Sequence, residues 1–148
     1  MAVKAFLDTN IVLRLLDDSL PEHQAIEAFV NQVHEEAAEL WISRQVIREY
    51  LVQVTRPGFL AEALNIQQVT THMKTLQLLF KIADETDDVT RKLLDLIQAF
   101  PSGGKQIHDA NIVATMLVYG IDTLLTINVA DMKRFGTVVQ ITSPSIQP

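Results

Sequence analysis

Val3-Lys4-Ala5-Phe6-Leu7-Asp8-Thr9-Asn10 is the stretch on which the fold turns. Apart from Lys4 it is apolar as far as Leu7, and it then stops abruptly at a carboxylate. A short apolar run bounded by Asp, Thr and Asn reads as a buried strand followed at once by a helix start. Thr9 or Asn10 is the expected cap of a helix carrying Ile11, Val12, Leu15 and Leu16. Pro21 is expected to open the next helix, with Ala25, Ile26, Phe29, Val30 and Val33 at helical spacing. Leu40-Trp41-Ile42 repeats the pattern as a second short strand, with Ser43 capping a helix through Tyr50 and Val54 that stops near Pro57-Gly58.

From Asn65 to Phe100 apolar residues recur three or four apart, which predicts two helices separated by the acidic patch Asp84 to Asp88. Pro101-Ser102-Gly103-Gly104 is the clearest loop. The next helix is expected to start around His108 or Asp109 and to end at Gly120 as its C-terminal cap. Thr123–Ile127 and Val138–Ile141 read as buried strands. Strands separated by helices imply parallel pairing through helical crossovers, hence an α/β fold expected to form one domain over residues 1–148. In such sheets ligands gather beyond the carboxyl ends of the strands. Asp8, directly after the first strand, and Asn128, directly after Thr123–Ile127, stand in that position.

The composition narrows the function. A hydrophobic content of 48% over 148 residues supplies a core. The absence of cysteine excludes disulfides, thiolate zinc sites and thiol nucleophiles. The apolar run after Lys4 is too short for a secretory leader, and the uncharged stretch Ala110 to Ile121 falls short of the ~20 residues of a membrane span. A cytoplasmic protein without membrane contact is the expectation. A net charge of −6 argues against a basic protein that coats nucleic acid. It is compatible with an enzyme that grips nucleic acid through a local cationic rim around an acidic, metal-loaded centre.

Three carboxylates stand out. Asp8 is placed either to cap the first helix or to face the crevice. Glu49 lies on the flank of the stripe Val46, Ile47, Tyr50, Leu51 and Val54, beside Gln45 and Gln53 at one-turn spacing, where periodicity alone favours a solvated role. Asp109 lines up with Ile112, Val113 and Met116, so it either caps its helix or points inward toward a partner, a proton or a metal. Gly103-Gly104-Lys105 lacks the spacing of a phosphate loop, and His23, His34, His72 and His108 never pair at metal-ligand spacing.

The ordered set of segments resembles the PIN-domain family, and within it the VapC-type ribonuclease toxins of bacterial toxin–antitoxin pairs. The segments are Phe6-Leu7-Asp8-Thr9-Asn10, Arg48-Glu49-Tyr50, His108-Asp109-Ala110-Asn111-Ile112-Val113-Ala114, and Leu125-Thr126-Ile127-Asn128 leading into Asp131. The resemblance implies a three-layer α/β domain with a central, mainly parallel sheet, and a metal-dependent endoribonuclease. It implies Asp8, Glu49 and Asp109 as catalytic metal ligands for Mg²⁺ or Mn²⁺, with Asp131 or Asn128 at a fourth position and Thr9, Asn10 and Thr126 in support. Its implied partners are an RNA substrate, a cognate antitoxin and a second copy in a homodimer. Arg14, Arg44, Arg48, Lys105, Lys133 and Arg134 are the candidates for the cationic rim. An inactive interaction module, or a housekeeping or DNA-directed nuclease of the same fold, are the alternatives.

Overall fold

The computed structural model describes residues 3–36 and 39–144. Five strands form one sheet: β1 (Lys4–Leu7), β2 (Glu39–Ser43), β3 (Lys81–Ala83), β4 (Thr123–Leu125) and β5 (Gln140–Thr142). Their spatial order is β3-β2-β1-β4-β5 and every pairing is parallel. The α-helices among the described residues are α1 (Thr9–Leu16), α2 (His23–Glu35), α3 (Arg44–Thr55), α4 (Ile66–Leu79), α5 (Asp87–Ala99), α6 (Gln106–Tyr119) and the single turn α7 (Val129–Met132). They flank the sheet in the three-layer arrangement that the segments imply. No helix among the described residues is long and apolar enough to cross a membrane.

Ala5, Phe6 and Leu7 are fully buried, as a central strand covered on both faces requires. The chain runs outward from β1 to β2 and β3, then returns to lay β4 on the other side of β1. Strand order therefore reverses between β1 and β4, and the loops leaving their carboxyl ends diverge to open a crevice. The pairing extends one residue further there, because the Asp8 amide donates to the Leu125 carbonyl at 3.0 Å. Helix α6 is apolar on almost every side, with Ala110, Ile112, Val113, Ala114 and Met116 at 2% exposure or less. It packs most extensively on α5 and ends at Gly120, whose φ of +67° is the left-handed conformation a glycine adopts without steric cost.

Several boundaries move from the expected ones. The cap of α1 is Asp8, with Thr9 and Asn10 already helical. Helix α2 starts at His23 rather than Pro21. Between the two helices expected from 65 to 100 lies the edge strand β3, whose three residues are too few to break a helical pattern visibly. Helix α6 begins at Gln106, so Asp109 sits inside its first turn and cannot be the cap. Strand β4 ends at Leu125, which makes Thr126 rather than Asn128 the first residue beyond it, and β5 starts at Gln140 rather than Val138.

Candidate functional site

Asp8 leaves β1 in extended conformation and points its carboxylate along the start of α1. Oδ1 accepts from the Thr9 amide at 2.8 Å, and Oδ2 accepts from Thr126 Oγ1 at 2.8 Å and Asn10 Nδ2 at 3.2 Å. Asn10 closes the bracket from the other side, accepting from the Ile127 amide at 3.1 Å. Thr126 Oγ1 in turn accepts from the Asn128 amide at 3.0 Å. The loops after β1 and β4 are thus stitched together by Asp8, Asn10 and Thr126. Burial pushes the Asp8 carboxyl above its ordinary value, helped by the charge of Glu49 and opposed by the bonds from Thr126, Thr9 and Asn10.

Glu49 comes from the second turn of α3. Its Oε1 accepts from Thr9 Oγ1 at 2.7 Å and its Oε2 from Gln45 Nε2 at 3.3 Å. Asp109 comes from α6. Its pKa is pushed up to about 6, first by burial and then by the charges of Asp8, Asp131 and Glu49, with Arg134 pulling the other way. The three carboxylates and His108, Asn128, Arg48 and Lys105 line one cleft of about 660 Å³. Asp8, Glu49 and Asp109 therefore reach a common space from three separate elements at the carboxyl side of the sheet.

Other residues singled out from the sequence lie elsewhere. Asp131 is exposed and outside the cleft lining, although its charge is felt at Asp109. Arg14 donates to the Asn10 carbonyl at 3.0 Å and faces Glu22 at 3.4 Å, and Arg44 pairs with Asp84 at 2.9 Å. Lys133 lines a shallow hollow with Asp122 and Gly136, and Arg134 is bound to Pro101 and Ser102. Of the six rim candidates, Arg48 and Lys105 line the cleft. Arg48 is meanwhile held by Glu85 at 3.0 and 3.1 Å. Gln45, read from the sequence as a flank residue, is buried against the cleft wall. The signal for it was its spacing one turn before Glu49.

The site has oxygen donors of the kind hard divalent cations prefer, and burial first, with the charge of neighbouring carboxylates second, raises two of its carboxyl groups. Among the described residues no group of three or more His, Asp or Glu converges closely enough to hold an ion by itself. Chemistry of donor and charge fits a cation that keeps part of its water shell, as Mg²⁺ does.

A parallel α/β sheet with acidic side chains gathered at its switch point is the class that fold and site define. Residues 5–135 match the model of the PIN domain, and the chain belongs to that family. No curated protein matches it significantly. Its fold is similar to that of VapBC2 from Rickettsia felis bound to a DNA fragment from their promoter. The TM-score is 0.68 at 16% identity, over 95% of this chain and 98% of that one. A toxin–antitoxin complex from Klebsiella pneumoniae gives a TM-score of 0.68 at 20% identity, over 97% and 99% of the two chains. VapC20 from Mycobacterium tuberculosis, described as a sarcin–ricin loop cleaving toxin, gives 0.66 at 12% identity over 88% and 94%.

Proposed function

We propose that this protein is an endoribonuclease that hydrolyses RNA phosphodiester bonds with Mg²⁺ or Mn²⁺, and that it is the toxin of a toxin–antitoxin pair. The observation that carries the reading is the convergence of Asp8, Glu49 and Asp109 on one cleft. Family membership and the toxin–antitoxin assignments of the similar structures support it.

Asp8 and Glu49, each fixed by hydrogen bonds on both oxygens, together with Asp109 would hold the cation. When bound, the cation polarises the phosphate and lowers the pKa of water. The chain's own residues do the rest. Arg48 and Lys105 stand where a phosphodiester backbone enters and supply the positive charge the −6 protein otherwise lacks. Arg48 is available to it once the exposed contact with Glu85 is exchanged for phosphate, a cheap exchange at the surface. Asp109 holds its proton to about pH 6 and must release it for the cleft to carry full negative charge. Thr126, Asn10 and Thr9 keep the Asp8 and Glu49 oxygens oriented while the substrate exchanges.

The test is incubation of the purified protein with labelled RNA and DNA, with and without Mg²⁺ or Mn²⁺. Metal-dependent scission of RNA, lost in Asp8→Asn, is expected. Scission of DNA alone turns the reading toward a DNA-directed nuclease. For the toxin role, an acidic cleft in an acidic protein attracts an antitoxin segment carrying Arg, which would bind the carboxylates bidentately. Co-purification with the product of an adjacent short gene, with cleavage slowed in the complex, is the expected result. Light scattering checks the homodimer that belongs to the same reading.

A further inference from the structure

Gln45 is 3% exposed. A carboxamide is buried this deeply at little cost only when both of its ends are hydrogen-bonded. Its Nε2 donates to Glu49 Oε2 at 3.3 Å and to the His108 carbonyl at 2.9 Å, and its Oε1 accepts from Asn111 Nδ2 at 2.7 Å. Both amide protons and the oxygen have partners, and the pattern fixes which end is which. Turned over, the amide oxygen would face two acceptors. Gln45 precedes Glu49 by one turn of α3, while His108 and Asn111 bracket Asp109 on the first turns of α6. One side chain therefore touches both the Glu49 carboxylate and the backbone that carries Asp109. The chain of contacts continues outward, since Asn111 Nδ2 also lies 3.3 Å from Glu85 Oε1.

We infer that Gln45, braced by Asn111, is a positioning residue that fixes the Glu49 carboxylate against the Asp109-bearing turn of α6 and thereby sets the cation affinity of the cleft. The inference rests on the proposed reading that the cleft takes a divalent cation. The chemistry separates it from simple helix packing. An α3–α6 contact made for stability alone is served as well by an apolar pair of equal volume, because a buried hydrogen-bonded pair gains little over one. Here the amide spends a proton on a carboxylate whose other oxygen is held by Thr9. Without it, Oε2 of Glu49 is free to turn and the α6 backbone at His108 loses its tie to α3. Loss of such an outer partner typically weakens metal affinity or activity about 10- to 100-fold.

The experiment compares full-length wild type with Gln45→Met, reading Mn²⁺ affinity by titration calorimetry and RNA cleavage by kcat and KM. Mn²⁺ should bind about 10-fold more weakly and kcat should fall by about the same factor, with KM within about twofold. In a Glu49→Gln background, Gln45→Met should change Mn²⁺ affinity by less than about twofold, because its target charge is already gone. Asn111→Ala removes the brace alone and should give a smaller loss of the same sign. It also decides the matter if the thermal melt shows that Gln45→Met does not fold. Unchanged Mn²⁺ affinity in both variants, or an equal loss in both Glu49 backgrounds, overturns the inference and leaves Gln45 a packing contact. A wild type that binds Mn²⁺ but cleaves no RNA defeats the nuclease reading, while the Mn²⁺ cycle still decides the role of Gln45. A wild type that binds no Mn²⁺ overturns both.

Discussion

Asp109→Asn should make the metal-free protein more stable at neutral pH and should erase part of its pH dependence. The Asp109 carboxyl rises from an ordinary 3.8 to about 6 because it is buried and faces Asp8, Asp131 and Glu49. A carboxyl raised on folding keeps its proton in the native state at pH values where the unfolded chain has already released it. Its contribution is thus most favourable below about pH 4 and is lost as pH rises through about 6. Taken at face value the rise corresponds to about 3 kcal/mol, at about 1.4 kcal/mol per pH decade. Asp109 is only half-buried, so solvent screening reduces this to about 1 kcal/mol. For a chain of this length, about 1 kcal/mol moves the melting temperature by about 2–4 °C. Calorimetric melts in EDTA from about pH 4 to about pH 7 should show Asp109→Asn gaining about 3 °C on the wild type across that range. High salt should shrink the gain only in part, because burial rather than neighbouring charge is the leading cause. Parallel melting curves, or a variant that loses ground as pH rises, would refute the reasoning.

Further outcomes follow from the same contacts. Mn²⁺ should raise the wild-type melting temperature by more than it raises that of Asp8→Asn or Asp109→Asn, since binding to the native state alone stabilises by mass action; equal rises in a metal titration of the melts would exclude both as ligands. Thr126→Val removes the donor to Asp8 Oδ2 and the acceptor for the Asn128 amide, both at a fully buried position. It should cost about 1–3 kcal/mol in denaturant unfolding. Arg48→Ala and Lys105→Ala should raise KM for RNA and flatten its salt dependence by about one phosphate contact each, with kcat little changed. Gly120→Ala places a side chain at a φ of +67° and should cost about 1 kcal/mol with no effect on cleavage, a stability control for the site variants.

What the sequence disclosed and what it hid divide along a physical line. β1 was legible because this central strand is apolar from Ala5 onward and its end is marked by the change from Leu7 to Asp8. α6 was legible because its apolar positions run through several turns to a glycine. β3 and β5 lie at the sheet edges with three residues each, so β3 carries too little apolar pattern to announce itself, and β5, announced by Val138 to Ile141, does not fix its own ends. The acidic residues could be found as a set, yet their local alternatives could not be settled. Asp109 as cap or as inward group depended on where α6 begins, and a helix beginning without a side-chain cap at Lys105 leaves no signature in the chain. The rim cations were the least legible. Arg14 and Arg44 are drawn to Glu22 and Asp84, and only the folded arrangement decides which charge a long side chain meets. Gln45 was missed for a related reason: its burial comes from α6, more than sixty residues away in sequence.

Asp8 joins the two readings its position first allowed. It caps α1, and the N-terminal end of a helix favours a negative charge. Three hydrogen bonds favour that charge as well. Its pKa is nevertheless raised, so burial outweighs every favourable contact around it. A cap chosen for stability alone would sit at the surface, where the same bond to the Thr9 amide carries no desolvation cost. Asp8 instead stands at 5% exposure between two strands, with Glu49 near enough to repel it and Asp109 feeling its charge. That arrangement lowers stability in the empty protein and is relieved by whatever positive charge enters the cleft. The same logic ties the proposed activity to the proposed inhibitor, since a divalent cation and an arginine side chain would compete for one unfavourably concentrated charge.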